Sequence, residues 1–306
     1  MIDTYNINNE TWIDVDTGSV EEINDLMNTY GIHPFVAKEL SSATRKPLIE
    51  LHDEYVYFIL HFPAFKHSHG VDSNQEVDFI VKKNLLITAR YDTIDALHKF
   101  SKTLEVQEVL DKNSKKLDLQ PHDIFFGLLR ELYRGMGDEL DAIEDITDDI
   151  TNRIFAGSER EMVIQLSLVT RTLLEFKREI DLHREVLDSL HQYGKKIFGN
   201  EFGQTMEEIL IEYLKLNSSI HSELDMLREL RETNNSLLTS KQNETVKQLT
   251  IIGALVLPLN LITSFFGMNL PGMPIINHPY AFWIVLVFMI TSVVLTLTYI
   301  RHKKWM

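Results

Sequence analysis

LTIIGALVLPLNLITSFF, residues 249–266, and AFWIVLVFMITSVVLTLTYI, residues 281–300, decide the fold. Between Gln248 and Ile300 the chain carries no Asp, Glu, Lys or Arg. Such a run cannot form a surface in water, whereas about 20 apolar residues are what a helix needs to cross a bilayer core. The connection, 267–280, holds three Pro and two Gly and continues neither helix. The two spans therefore read as a hairpin whose ends lie on one side. Arg301, Lys303 and Lys304 follow the second span at once, and the connection has neither Lys nor Arg. The positive-inside tendency then places the C-terminus and the long N-terminal part in the cytoplasm. Trp283 and Tyr299, at the ends of the second span, suit the membrane interface.

The rest of the chain has the opposite character. Of its 306 residues, 45 are Asp or Glu and 30 are Lys or Arg, a net charge of −15. That balance argues against nucleic acid as a partner, because phosphate binding needs clustered basic residues, and it is compatible with attracting cations. The absence of Cys excludes disulfides and thiolate metal sites. Met1 to Asn6 lacks a basic stretch followed by an apolar run, so no secretory signal is expected. Nothing pairs a nucleophile with a base or forms a phosphate-binding loop, and no catalysis is expected.

Upstream of about Arg90 the pattern is mixed. Tyr55 to Leu60 and Asp78 to Val81 read as strands rich in β-branched and aromatic residues, and Leu85 to Thr88 as the second arm of a hairpin after Lys83-Asn84. Ser19 to Tyr30 carries Val20, Ile23, Leu26 and Met27 at helical spacing. An α/β cytoplasmic domain with a helical extension is predicted over residues 1–200, helical from about Ile94 with breaks near Pro121, Gly157 and Gly194 to Gly199.

From Glu207 to Phe266 one uninterrupted helix is predicted, on the order of 90 Å long at 1.5 Å per residue. Its cytoplasmic part covers 201–248 and its membrane part 249–266. Ile209, Tyr213, Leu216, Ile220, Leu224 and Leu227 recur in steps of three and four, the spacing of a coiled-coil seam, which predicts several copies around one axis. Asn243, Val246, Thr250, Gly253, Leu257, Asn260 and Ser264 share another stripe, with Glu232 on its extension. Amide and hydroxyl oxygens on it suit a hydrated cation, and apolar rings suit a gate that dewets. Packing between helices uses the same small and polar residues and remains the alternative. A hairpin that only anchors a sensor or scaffold without transport is the other reading.

Gly267-Met268-Asn269, directly after the first span and before a short loop and second span, resembles the signature of the CorA family of magnesium and divalent-cation channels. The resemblance continues through Asn243-Glu244, Lys247, Leu249 to Ile252, Pro258-Leu259, Met273-Pro274 and the tail Lys303 to Met306, and more loosely through Arg45-Lys46-Pro47, Asp53 to Tyr55 and Phe79-Ile80. It implies a funnel-shaped homopentamer in the cell (inner) membrane, with 249–266 lining the pore, 267–280 an extracytoplasmic loop, 281–300 the second span and 301–306 a basic cytoplasmic tail. Asn269 would receive the hydrated ion, Gly267 would allow a tight turn and Met268 would support it. Asn260 and Asn243 would be inner polar rings, and Val246, Leu249 and Leu257 would lie near a hydrophobic gate. Mg²⁺ would be both transported and regulatory, with Co²⁺ or Ni²⁺ as further substrates. Ile275-Ile276 and Asn260 depart from residues common in the family, and zinc carriers of the ZntB type share the architecture.

Two clusters remain. Asp138, Glu139, Asp141, Glu144, Asp145, Asp148 and Asp149 crowd one predicted helix, a solvated face by composition. The resemblance suggests that such carboxylates, with Glu207, Glu208 and Glu212 on the long helix, hold cytoplasmic Mg²⁺ that keeps the pore shut. His67 and His69, with His61 nearby, read as solvated more readily than as a zinc site.

Overall fold

Runs of β-branched and aromatic residues give a computed structural model with six strands and seven helices among its described residues, which are 2–7, 10–16, 20–44, 47–63, 75–91, 94–111, 122–268 and 278–303. In chain order they are β1 (Ile2–Ile7), β2 (Glu10–Asp16), α1 (Val20–Tyr30), α2 (Pro34–Glu39), β3 (Ile49–Leu51), β4 (Tyr55–Phe62), β5 (Gln75–Lys82), β6 (Leu85–Arg90), α3 (Asp95–Asp111), α4 (Asp123–Phe155), α5 (Glu159–Phe198), α6 (Asn200–Phe266) and α7 (Ala281–His302). The chain divides into two compact units, Met1–Arg231 and Glu232–Met306.

In the first unit the sheet order is β1-β2-β6-β5-β4-β3, antiparallel throughout except where β2 runs parallel to β6. The hairpin predicted at Lys83-Asn84 joins β5 to β6. Strand alternation divides the core into two layers. Ile13, Val15, Tyr57, Ile59, Ile80 and Ile87 pack with Ile23 and Leu26 of α1 and Val36 and Ala37 of α2. On the other face Phe58 stacks on Phe79 at 4.8 Å, and both meet the edge of Phe125 on α4. With both faces covered, every residue of β4 is buried. Each fully buried aliphatic or aromatic side chain contributes roughly 1.5–3 kcal/mol relative to exposure.

The edge strands β1 and β3, the early part of β2, and the buried polar pattern of β2 are not readable from periodicity. Asp14 interrupts an otherwise apolar strand because it is satisfied: Thr88 donates to it at 2.7 Å and Arg90 at 3.0 Å, while Trp12 Nε1 donates to Thr88 at 2.9 Å.

Two helical expectations change. Gly194 does not break α5, which runs on to Phe198 before Gly199 at φ 104°. Gly194 is small for packing: a Cβ there would stand 2.3 Å from Cε1 of Phe202. Gly194→Ala is expected to cost about 1–3 kcal/mol through overpacking, read as a lowered midpoint in thermal unfolding. The seam on α6 also has a different partner from the one expected. Ile209, Tyr213, Leu216, Ile220, Leu224 and Leu227 are all buried within the single chain. Tyr213 meets Tyr133 of α4 edge-on at 6.5 Å, and Asn217 reaches Asp181 of α5 at 3.2 Å. Three-and-four spacing describes any helix with one covered stripe; here α4 and α5 cover it, so the seam itself does not argue for several copies.

In the second unit, α6 continues through Gly253 and Pro258 to Phe266, and α7 is a separate 22-residue helix. Both are long and apolar enough to cross a membrane, and almost nothing of their apolar windows is buried. In water such surfaces would be untenable, and lipid is the solvent that suits them.

Candidate functional site

Residues 243 to 264 of α6 hold the stripe that the sequence singles out as a candidate pore lining. Asn243, Thr250 and Asn260 are exposed, as are Val246, Leu249 and Leu257 at 60%, 63% and 69%. All lie on one unbroken helix, so steps of three and four place Asn243, Val246, Thr250, Gly253, Leu257, Asn260 and Ser264 along one face. Local bonds tie the hydroxyls down: Thr250 donates to the Val246 carbonyl at 2.8 Å and Thr263 to the Asn260 carbonyl at 3.0 Å. The amides of Asn243 and Asn260 are thus the longer-reaching polar groups of the stripe. Gly253 has open space where a Cβ would stand.

Gly267 ends the helix under steric constraint. Its N–H donates to the Thr263 carbonyl at 2.8 Å, and a Cβ would lie 2.9 Å from that same oxygen. Any larger residue pushes against backbone. Met268 follows, half exposed, its N–H 3.4 Å from the Phe265 carbonyl. Asn269 lies outside the described residues, as do Met273, Pro274, Ile275 and Ile276.

The expected regulatory carboxylates are not brought into one cluster. Glu207 pairs with His191 at 3.4 Å and Glu208 with Arg130 at 2.5 Å, both across helix contacts. Asp145 and Asp148 lie exposed on α4. Glu212 and Asp141 do share a cavity of about 850 Å³ between α4 and α6, with Glu144 and Glu223. Among the described residues no three His, Asp or Glu side chains converge closely enough to hold a metal ion within one chain.

Sequence reading missed Glu223 and a buried polar network. Glu223 is 7% exposed, and one of its carboxylate oxygens has no partner among the described residues. Its place three residues after Ile220 was the available signal. His61 is no surface histidine: it is 4% exposed and its Nε2 lies 3.2 Å from Glu76 and 3.0 Å from the Thr44 carbonyl. His67 and His69 lie outside the described residues. His183 is fully buried, donates through Nε2 to the His61 carbonyl at 2.8 Å, and accepts the Tyr133 hydroxyl at Nδ1 at 2.9 Å.

Comparison with known proteins bears on the whole chain. A family model described as CorA-like Mg²⁺ transporter protein matches residues 9–302. The cobalt/magnesium transport protein CorA of Thermotoga maritima is 25% identical over 301 residues, covering 97% of this chain and 83% of that protein. The protein of the same name from Methanocaldococcus jannaschii is 24% identical over 297 residues, with 96% and 90% covered. The solved complete structure of the CorA magnesium transporter from M. jannaschii matches with a TM-score of 0.83 at 22% identity, covering 99% of this chain and 93% of that one. That likeness shows a shared fold, from the α/β unit through the long helix to the two apolar helices.

Proposed function

The chain belongs to the CorA-like Mg²⁺ transporter family, and from that premise we propose that it is a homopentameric channel passing Mg²⁺ across the cell membrane. One observation carries this reading: a stripe of amide, hydroxyl and apolar residues on α6, from Asn243 to Ser264, followed in sequence directly by Gly267-Met268-Asn269. In this reading copies of 249–266 surround the pore, 267–280 faces outward and both termini are cytoplasmic.

The physics of the ion suits such a lining. Mg²⁺ dehydrates reluctantly, so a first filter works by hydrogen bonds to its bound waters rather than by stripping them. Carboxamide oxygens of Asn269, Asn260 and Asn243 can do this. Carboxylate rings would hold a dication too firmly for rapid exit. Val246, Leu249 and Leu257 offer no such bonds, and a ring of them narrow enough to dewet would close the path. The membrane potential supplies the drive, roughly 4.6 kcal/mol per 100 mV for a charge of two. Regulation by cytoplasmic Mg²⁺ would require carboxylates of neighbouring copies, with Glu207, Glu208, Glu212, Asp141, Asp145 and Asp148 as the residues to neutralise. Asp→Asn and Glu→Gln changes there should relieve inhibition by internal Mg²⁺.

The test is flux into liposomes loaded with a Mg²⁺-sensitive dye. Uptake above that of protein-free liposomes is expected, blocked by cobalt hexammine as a mimic of the hydrated ion, with Co²⁺, Ni²⁺ and Zn²⁺ compared in the same vesicles. A purified protein that is monomeric in detergent and lipid and gives no flux overturns the reading.

A further inference from the structure

A series of buried and half-buried polar contacts, linked through His61, crosses the first unit and has no part in the ion pathway. It begins at Thr44, between α2 and β3, whose N–H donates to both carboxylate oxygens of Glu76 at 2.9 and 2.7 Å. Glu76 stands opposite His61 in the β4–β5 ladder, and both side chains are almost wholly buried. The two neighbours of His61 Nε2, the Thr44 carbonyl and Glu76, only accept, so Nε2 carries a hydrogen. His61 Nδ1 has no partner among the described residues and is therefore the atom that gains or loses the second proton. From the His61 carbonyl the series passes to His183 of α5, to Tyr133 of α4 and, by ring contact at 6.5 Å, to Tyr213 of α6.

The surrounding groups define one ion pair. Asp78, fully buried beside Glu76, accepts the Tyr57 hydroxyl at 2.9 Å, with Tyr91 and Glu39 of α2 nearby. Burial first, and then the Glu76 charge, raises its carboxyl well above its ordinary value. From α5, Glu179 faces the site but is paired with Arg178 at 2.8 Å, and Glu185 lines, with Thr44, His61 and Glu76, a cavity of about 850 Å³. Arg45 and Lys46 lie outside the described residues. Burial opposes charge on both His61 and Glu76. Their mutual bond and Thr44 outweigh it, raising the imidazole and lowering the carboxyl.

We propose that His61 and Glu76 form a proton-operated clasp: doubly protonated His61 fastens the α2–β3 segment to the sheet, and loss of its Nδ1 proton loosens that segment and, through His183 and Tyr133, the seating of α6. A charge-assisted bond is roughly twice as strong as a neutral one, so deprotonation weakens the clasp without abolishing it. The direction follows from linkage. A group raised in the fold stabilises it fully below the free imidazole value and loses that contribution as pH rises through the folded one. Loosening therefore comes on the alkaline side of about 6.5.

Hydrogen exchange of the full chain in lipid nanodiscs, corrected for intrinsic rates, tests this without reference to transport. Between pH 6.0 and 8.5, protection of residues 40–51 is expected to fall about tenfold, and that of 205–216 in the same direction. His61→Gln, which keeps a donor but no charge, is expected to show the low protection at both pH values. Flat wild-type exchange, or an undiminished pH response in His61→Gln, overturns the clasp. Should that variant not fold, the wild-type protein still decides: an imidazole NMR resonance for His61 that stays neutral from pH 5.5 to 8.5 overturns it as well.

Discussion

Asn269→Ala is expected to bring Mg²⁺ uptake down to the level of protein-free liposomes, a loss of about 100-fold or more. A factor of 100 corresponds to roughly 2.7 kcal/mol of barrier. A hydrogen bond involving a charged partner is worth about 1.5–3 kcal/mol, and a ring formed by several copies loses one amide per copy. In the proposed channel the carboxamide would meet the ion where its hydration shell must be recognised without being stripped, and a methyl group offers nothing to those waters. Asn269→Asp tests the same point from the other side: it restores oxygens but adds a ring of charge, so tighter binding with slower flux is expected. Gly267→Val is a companion of different origin. Its Cβ would lie 2.9 Å from the Thr263 carbonyl, so the helix end must shift and carry Asn269 with it. Unchanged dye-reported uptake in Asn269→Ala would remove Asn269 from the pathway.

The membrane half was legible because its solvent imposes one rule. Every backbone group must be satisfied internally, so a charge-free run of about 20 residues has essentially one structure available. The 249–266 and 281–300 readings needed no knowledge of neighbours, and the helices end at Phe266 and begin at Ala281. The α/β unit obeys a weaker rule. Tyr55 to Leu60 announced a strand, but Ile2–Ile7 and Ile49–Leu51 are edge strands whose partners determine them. The seam on α6 shows the limit most clearly. Apolar residues in steps of three and four state that one face is covered and are silent on what covers it. Gly194 shows a related limit, since a glycine placed to admit Phe202 reads in sequence like one placed to break a helix.

Candidate-site residues divide along the same line. Asn243, Asn260 and the apolar residues between them could be set on one stripe because a single helix fixes their relative angles. Carboxylates whose surroundings depend on other elements could not be sorted from sequence. Glu208 has the look of a free acidic group and is paired with Arg130, whereas Glu223, unremarked in sequence, is the carboxylate buried in the cavity beside Asp141. A neutral buried histidine is harder still to recognise, because its partners come from α4 and from a strand far away in sequence.

His183 supplies the largest acid-side effect expected of the fold. Both ring nitrogens are committed in the neutral form, Nε2 as donor to the His61 carbonyl and Nδ1 as acceptor of the Tyr133 hydroxyl. A second proton would put a charge in a site without water. Burial, with a smaller contribution from the charge on His61, pushes its pKa down to about 4. An unfolded chain has no such restraint and takes up the proton near 6.5, so between these values the unfolded state binds more protons and stability is lost as pH falls. The full effect is roughly 3 kcal/mol, at 1.36 kcal/mol per unit. Glu76, held low mainly by His61 and Thr44 against its burial, adds a loss in the lower part of the range. His183→Gln separates the two. That variant should be less stable at pH 7.5, having lost a fitted pair of bonds, but its decline from pH 6.5 to 4.5 should be shallower by up to one proton's worth of slope. Urea unfolding of the full chain in detergent, followed by far-ultraviolet circular dichroism, reads both curves. Parallel curves for the two proteins would mean that His183 is already charged in the fold, and that the hydroxyl of Tyr133 does not donate to it.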